Sequence, residues 1–390
     1  LENNGRWDSI EVVIPEFKPK LKLQGNYLNG NRDGTWTEFF KDGKRKTELN
    51  YSNGKFSGLQ SYWSSNGNKI EEKNYINGKQ QGLWTIYFEE TGIKKEETFY
   101  IDGVQEGLWT EWFEDGQKRR ERNFKYGERD STWNTWYENG NKRFLATYSD
   151  GKLNGKYTRW YQGGIIKEQD GDYTNNKKHN RWVFWAKNGQ KSEEINYNTG
   201  IQNGPHIKWF GDSSDQHKKF HKNFKNGEKD GAWHYWYTTG VDSLKSSYLE
   251  GKKDGHWVWW RSNGLKDKEG FYKKEKKHGV WTVWNDSSGT AYHKLHEETF
   301  VNDIIDGSVT KWYKEGDIDR QGVMRGKERE GEWTYWERGG KKWLKFDYGN
   351  GLERVTLGEI EERDGITYKI GKYEPYVGIV EEIGGKRGYK

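Results

Sequence analysis

Thirteen times along this chain an aromatic side chain stands five places after an anchor residue that is nearly always glycine. The anchors are Gly34, Gly58, Gly82, Gly107, Ser131, Gly155, Asn180, Gly204, Gly231, Gly255, Gly279, Gly307 and Gly331, at intervals of 24 to 28 residues. The aromatics at position +5 are Phe39, Trp63, Tyr87, Trp112, Trp136, Trp160, Trp185, Trp209, Trp236, Trp260, Trp284, Trp312 and Trp336. A fixed period of this length means small supersecondary units, each too small to bury an apolar face alone, stacked on their neighbours. It also weighs against chemistry, because a catalytic constellation is a singular departure and most of this chain restates one pattern.

Residues 75–107 show one unit. Asn77-Gly78 and the equivalent Asp102-Gly103 bracket it, and such pairs favour two-residue hairpin turns because both central residues need positive φ. A second turn, usually marked by glycine, lies nine places after the anchor, as at Gly67 and Gly116. Between the turns lie two runs of about six residues, 83–88 and 94–100. They are rich in aromatics and Thr and too short for stable helices. A further aromatic column stands at −7, from Tyr27 and Tyr51 to Phe300, and only Met324 interrupts it. Each repeat therefore reads as one β-hairpin, pairing with the next into a continuous antiparallel sheet.

Position +2 carries a third column of nine tryptophans, Trp36, Trp84, Trp109, Trp133, Trp182, Trp233, Trp257, Trp281 and Trp333, with Tyr157 in one further repeat. Residues three apart on a regular strand point to opposite faces, so the spacing predicts an aromatic ladder on each face. The +5 and −7 columns are expected to form the core. Position +2 tolerates Gln60, His206 and Val309, which suits a more exposed column. Acidic residues recur at −10, including Glu48, Glu72, Glu97, Glu121, Asp170, Glu194, Glu269 and Glu297, and read as cross-strand charge pairs. The expected fold is all-β: tandem hairpins in an elongated, twisted, largely single-layer antiparallel sheet of solenoid type. A propeller is the alternative, but its period is normally about 40–45 residues.

Hydrophobic residues make up only 31% of the 390, against 32% charged. The 23 Trp, 25 Tyr and 16 Phe supply the apolar area in a few stiff side chains instead. Basic and acidic residues nearly cancel, leaving +6 interleaved along the chain, which gives no basic stripe for nucleic acid. There is no Cys, hence no disulfide and no thiolate metal site. No apolar run reaches the length of a membrane span. No signal segment is visible, and the chain begins at Leu1 rather than Met. The expected organisation is an irregular lead-in over 1–23, the hairpin array over 24–350, and a connector over 351–390 opening a further repeat, as in a fragment of a longer protein.

The frame Asn77-Gly78-Lys79-x-x-Gly82-x-Trp84-x-x-Tyr87, restated at Asp102–Trp112 and Gly227–Trp236, resembles the bacterial variant of the MORN repeat, in proteins often labelled YwqK-type antitoxins. The resemblance covers roughly 24–350. It implies an elongated β-hairpin array with interaction roles, commonly exported or attached to the cell surface, without a cofactor.

Few residues stand out as candidate sites. His217 and His221, and His293 and His296, have spacings that bind metal on a helix, but they fall in the two longest repeats and read as exposed loops; no metal is expected. No G-x-S-x-G or H-E-x-x-H motif occurs, so no catalytic residue is assigned. The +2 tryptophans Trp84, Trp109, Trp133, Trp182, Trp233, Trp257 and Trp281 are candidates for stacking on sugar rings, as in choline-binding modules with a similar rhythm. Lys273, Lys274, Lys276 and Lys277 form the densest basic turn, suited to an anionic membrane or glycan surface. The +5 tryptophans read as a structural ladder. The leading expectation is a non-enzymatic scaffold or spacer with a protein partner. A glycan-binding envelope module using the +2 column is the alternative.

Overall fold

The computed structural model describes residues 22–211, 217–285 and 291–349, and short strands between 354 and 388. Most of the expected lead-in lies outside the described residues. The chain divides into two compact units. Unit 1 runs to Lys167 and includes Thr174–Asn176; unit 2 takes Glu168–Tyr173 and the chain from Lys177 on.

In unit 1, β1 (Leu23–Leu28) pairs antiparallel with β2 (Asn31–Phe39), and β2 with β3 (Arg45–Ser52). The same step repeats from strand to strand as far as Lys152–Trp160. Unit 2 repeats it from Lys177–Trp185 to Lys342–Asp347. Each unit is thus an open antiparallel meander of hairpins, and no set of four-stranded blades appears among the described residues. Beyond it, Arg354–Thr356 pairs parallel with Ile379–Glu382, and Ile360–Arg363 pairs with Ile366–Lys369.

The Asn-Gly turns have the backbone their sequence demands, with φ of 51° at Asn29 and 79° at Gly30, and 51° and 82° at Asn77 and Gly78. The strands are longer than the six-residue runs suggested, typically nine and eight residues, the nine-residue strand because it continues through the anchor. The anchor lies inside a bulge: between the pairs Gln24–Thr37 and Asn26–Asp33, β1 has only Gly25, while β2 has Gly34, Thr35 and Trp36. The longer segment turns back on itself only if the anchor takes a left-handed conformation. Ser131 and Asn180 do so as well, at φ of 53° and 57°.

From +2 to +5 the strand is regular, so the two aromatic columns lie on opposite faces, as the spacing required. The ranking of burial is reversed, however. Eight of the nine +2 tryptophans are buried, Trp182 wholly so and Trp36 4% exposed, while Trp84 and the +5 aromatics are only half-buried. The bulge drives the +2 ring down onto the opposing strand, where a Cβ added to Gly25 would lie 2.2 Å from the Trp36 ring.

Candidate functional site

Each +2 tryptophan is enclosed on several sides. In eight of the nine, the indole N–H donates to the backbone carbonyl ten residues earlier, at 2.9–3.1 Å. Trp109 donates instead to the Glu96 carboxylate at 2.7 Å. Tyr and Phe rings from the −7 column pack beside the indoles, as at Tyr27–Trp36 (4.8 Å) and Tyr272–Trp281 (5.0 Å). Edge and tilted contacts of this kind stabilise beyond the area they bury.

In seven of the nine a cation from position −2 closes the enclosure, while the repeats of Trp84 and Trp109 carry Gln80 and Gln105 there. Arg32, Arg129, Lys178, Lys229, Lys253, Lys277 and Arg329, all at position −2, stand 4.3–5.2 Å from the ring centre of the +2 tryptophan of their own repeat. Each also lies over the −7 ring of the following repeat, at 4.7–5.6 Å. Burial pushes the Lys178 ammonium below its usual range, against the pull of Glu193. In the four repeats without Trp at +2, the residue at −2 is never a cation: Phe56 with Gln60, Leu153 with Tyr157, Gln202 with His206, Ile305 with Val309. In the first of these the roles are exchanged. Phe56 packs, tilted, between Tyr51 and Tyr75 at 4.9 and 5.3 Å, and the wholly buried Gln60 bonds the Asn50 backbone through both ends of its amide at 2.9 Å. This pairing was readable in the sequence as a correlation between −2 and +2, but it is invisible when each column is inspected alone.

The enclosure corrects the sugar-stacking assignment. Trp109, Trp133, Trp182, Trp233, Trp257 and Trp281 are buried and Trp84 is half-buried. Their ring faces are occupied by protein, and no platform for a sugar is presented. Of the basic turn, Lys273, Lys274 and Lys276 are exposed, whereas Lys277 belongs to the enclosure of Trp281 and Phe300. The histidine pairs are also placed otherwise than expected. His221 lies within the strand Lys218–Lys225 and His296 within Lys294–Val301. Four residues of strand separate His217 from His221 by roughly 13 Å, too far to share one ion.

The opposite face carries the +5 column and the acidic −10 column. The acidic groups are paired both along their own strand and across strands, the cross-strand partners including Arg181 for Glu194 and His256 for Glu269. Lys69 holds Glu72 at 2.5 Å, Lys266 holds Glu269 at 2.9 Å, and Lys294 holds Glu297 at 2.6 Å. Residues three apart would normally face opposite ways; a bulge at the intervening −12 residue, such as Arg119 between the pairs Lys118–Trp112 and Arg120–Glu111, turns both to one side. Burial and the hydrogen bond to Glu72 push the Tyr87 phenol up to about 12. Arg181 grips Glu194 with two bonds of 2.6 Å and, offset in part by desolvation, holds its carboxyl below the usual range. His206, at 2.7 Å, does the same for Glu193 on the tryptophan face.

Beside the tryptophans runs one lane in which identity changes at nearly every step, the pair Glu96–Glu111 excepted. It is formed by positions +4 and −11, which stand directly opposite each other across strands. In unit 1 it reads Glu38, Thr47, Tyr62, Glu71, Ile86, Glu96, Glu111, Arg120, Thr135, Phe144, Arg159. In unit 2 its course includes Tyr235, Leu244, Trp259, Lys268 and Val283. A search for constant columns passes over this lane, whose signal is variety on a constant frame.

Residues 32–53 and 105–126 match the family described as MORN repeat variant. No curated protein matches the chain. Among solved structures, TcdB2-TccC3 without its hypervariable C-terminal region is similar at 11% identity, covering 83% of this chain and 18% of that one, with a TM-score of 0.18. Another crystal structure of TcdB2-TccC3 is similar at 12% identity over 89% and 20%, with a TM-score of 0.16. The chain spans about a fifth of the length of these proteins.

Proposed function

Because the chain is a protein of MORN-variant repeats, we propose that it is a non-catalytic scaffold whose repeated frame presents an extended surface to a protein partner. The observation that supports this is the +4/−11 lane. Positions that hold the frame together recur from repeat to repeat, while those of the lane differ at nearly every crossing and most of them remain partly exposed. Selective recognition needs such variety, because a uniform surface offers a partner thirteen equivalent registers. The glycan alternative loses its support with the burial of the +2 rings.

The test is a photo-crosslinking amino acid placed in the lane at Ile86 or Val283, and at Thr132 on the opposite face, in the native cell. Discrete adducts from the lane that are missing from Thr132 are expected. Identical adducts from both faces, or none from the lane, would remove the proposal.

A further inference from the structure

In unit 1 the lane opens into a groove of about 870 Å³, within the size range of ordinary ligand sites. Four arginines line it, Arg119, Arg120, Arg143 and Arg159, against the single carboxylate Glu138. The Glu111 carboxylate also takes Arg119 and Arg120, each at 3.1 Å. Aromatic rings make up much of the rest: Phe113, Trp136, Tyr137, Phe144 and Tyr157. The groove coincides with several departures from the repeat. Tyr157 replaces the bulkier +2 Trp, Leu153 replaces the −2 cation, and the turn holding Gly163 belongs to a repeat one residue longer than most.

The order of residues across the groove is fixed by pairing. Arg120 stands opposite Thr135, Thr135 opposite Phe144, and Phe144 opposite Arg159. Phe144 packs edge-on against Tyr157 at 5.2 Å. Three strand spacings of about 4.8 Å separate the two outer arginines by roughly 14 Å. Four residues of extended peptide span about the same distance, with residues i, i+2 and i+4 on one side. Guanidinium forks recognise carboxylates through paired, planar hydrogen bonds, and aromatic rings accept an apolar side chain between them.

We infer that this groove binds an extended acidic peptide of the form acidic–x–apolar–x–acidic, its carboxylates on Arg120 and Arg159 and its central side chain over Phe144 and Tyr157. The inference rests on the scaffold reading and gives its partner a chemical class.

The test uses the whole chain and a fluorescent peptide with the core Glu-Ser-Phe-Ser-Glu, titrated by anisotropy. Saturable binding is expected, weakened at least tenfold when both Glu are changed to Gln, and at least tenfold by Arg159→Gln, with Arg159→Lys intermediate because it keeps the charge and loses the fork. Circular dichroism confirms that each variant is folded. A triple change of Lys273, Lys274 and Lys276 to Gln, in the basic turn of unit 2, should leave affinity unchanged. Absence of saturable binding, equal binding of the Gln peptide, equal loss in the triple-lysine variant, or complete displacement by millimolar inorganic phosphate would overturn the inference. Lane crosslinks to a partner would survive any of these outcomes, so the scaffold reading fails or stands separately.

Discussion

Two backbone positions set conditions at the residue scale, the first in every repeat and the second in the four that place glycine beneath the indole, Gly25, Gly171, Gly270 and Gly322. The first is the anchor, where a left-handed conformation is compulsory. Glycine adopts it freely, while other residues meet a cost of about 1–2 kcal/mol, partly offset by glycine's greater freedom when unfolded. Ser131→Gly should therefore stabilise its hairpin by up to about 1 kcal/mol, and Asn180→Gly by less, since Asn tolerates this region. Hydrogen exchange of the flanking strands reads both; slower exchange in Ser131→Gly is the expected result. The second position is −9, beneath the indole. A Cβ at Gly171 would come within 2.4 Å of the Trp182 ring, so Gly171→Ala should cost about 1–3 kcal/mol by overpacking. Ala146 already occupies the equivalent place opposite Tyr157. Trp182→Tyr should accordingly relieve the alanine, giving a double-mutant cycle with clear coupling. Additive effects would contradict this account.

At the scale of the hairpin, the glycine periods, the Asn-Gly turns and the two-face alternation were all legible, because each follows from local backbone rules. Which face would be the better buried was not. Two bulges decide it, one lengthening the strand around the anchor and one at −12, and a bulge is a property of the pairing between strands rather than of either sequence. The intrastrand ion pairs were missed for the same reason, since without the −12 bulge Lys69 and Glu72 would face apart. One of these carboxylates offers a direct check. Glu194 is depressed in the folded state mainly by the Arg181 fork. A depressed folded value means that its contribution is present above the unfolded carboxylate range and is lost as pH falls through the folded value. Arg181→Gln should raise the Glu194 midpoint in a pH titration followed by NMR, and should make the protein less sensitive to acid in that window. An unmoved midpoint would assign the depression to Lys191 instead.

Across the whole molecule, stability is expected to be a sum over neighbours rather than a single cooperative quantity. Deleting the chain through the first hairpin, up to residue 44, should speed exchange in β3, the strand that it uncovers, and leave protection in more distant strands unchanged. Global loss of protection would contradict a nearest-neighbour array. The candidate surface was the least legible part of the molecule at this scale, because the lane is defined by what opposes what across strands, as with Arg120, Thr135, Phe144 and Arg159. The exchanged pairs at −2 and +2 carry a further consequence. A chain of near-identical hairpins can dock each newly made unit on the wrong predecessor, and misassembly of this kind is a characteristic failure of repeat proteins. A unit with Phe56 and Gln60, or Ile305 and Val309, fits poorly against a neighbour shaped for a cation over an indole. Such units should therefore act as keyed joints that penalise a slip by one repeat, an expectation that refolding checks. Restoring the consensus there, as in Phe56→Lys with Gln60→Trp, should yield more misdocked, aggregation-prone chains on refolding, even if the finished array is no less stable.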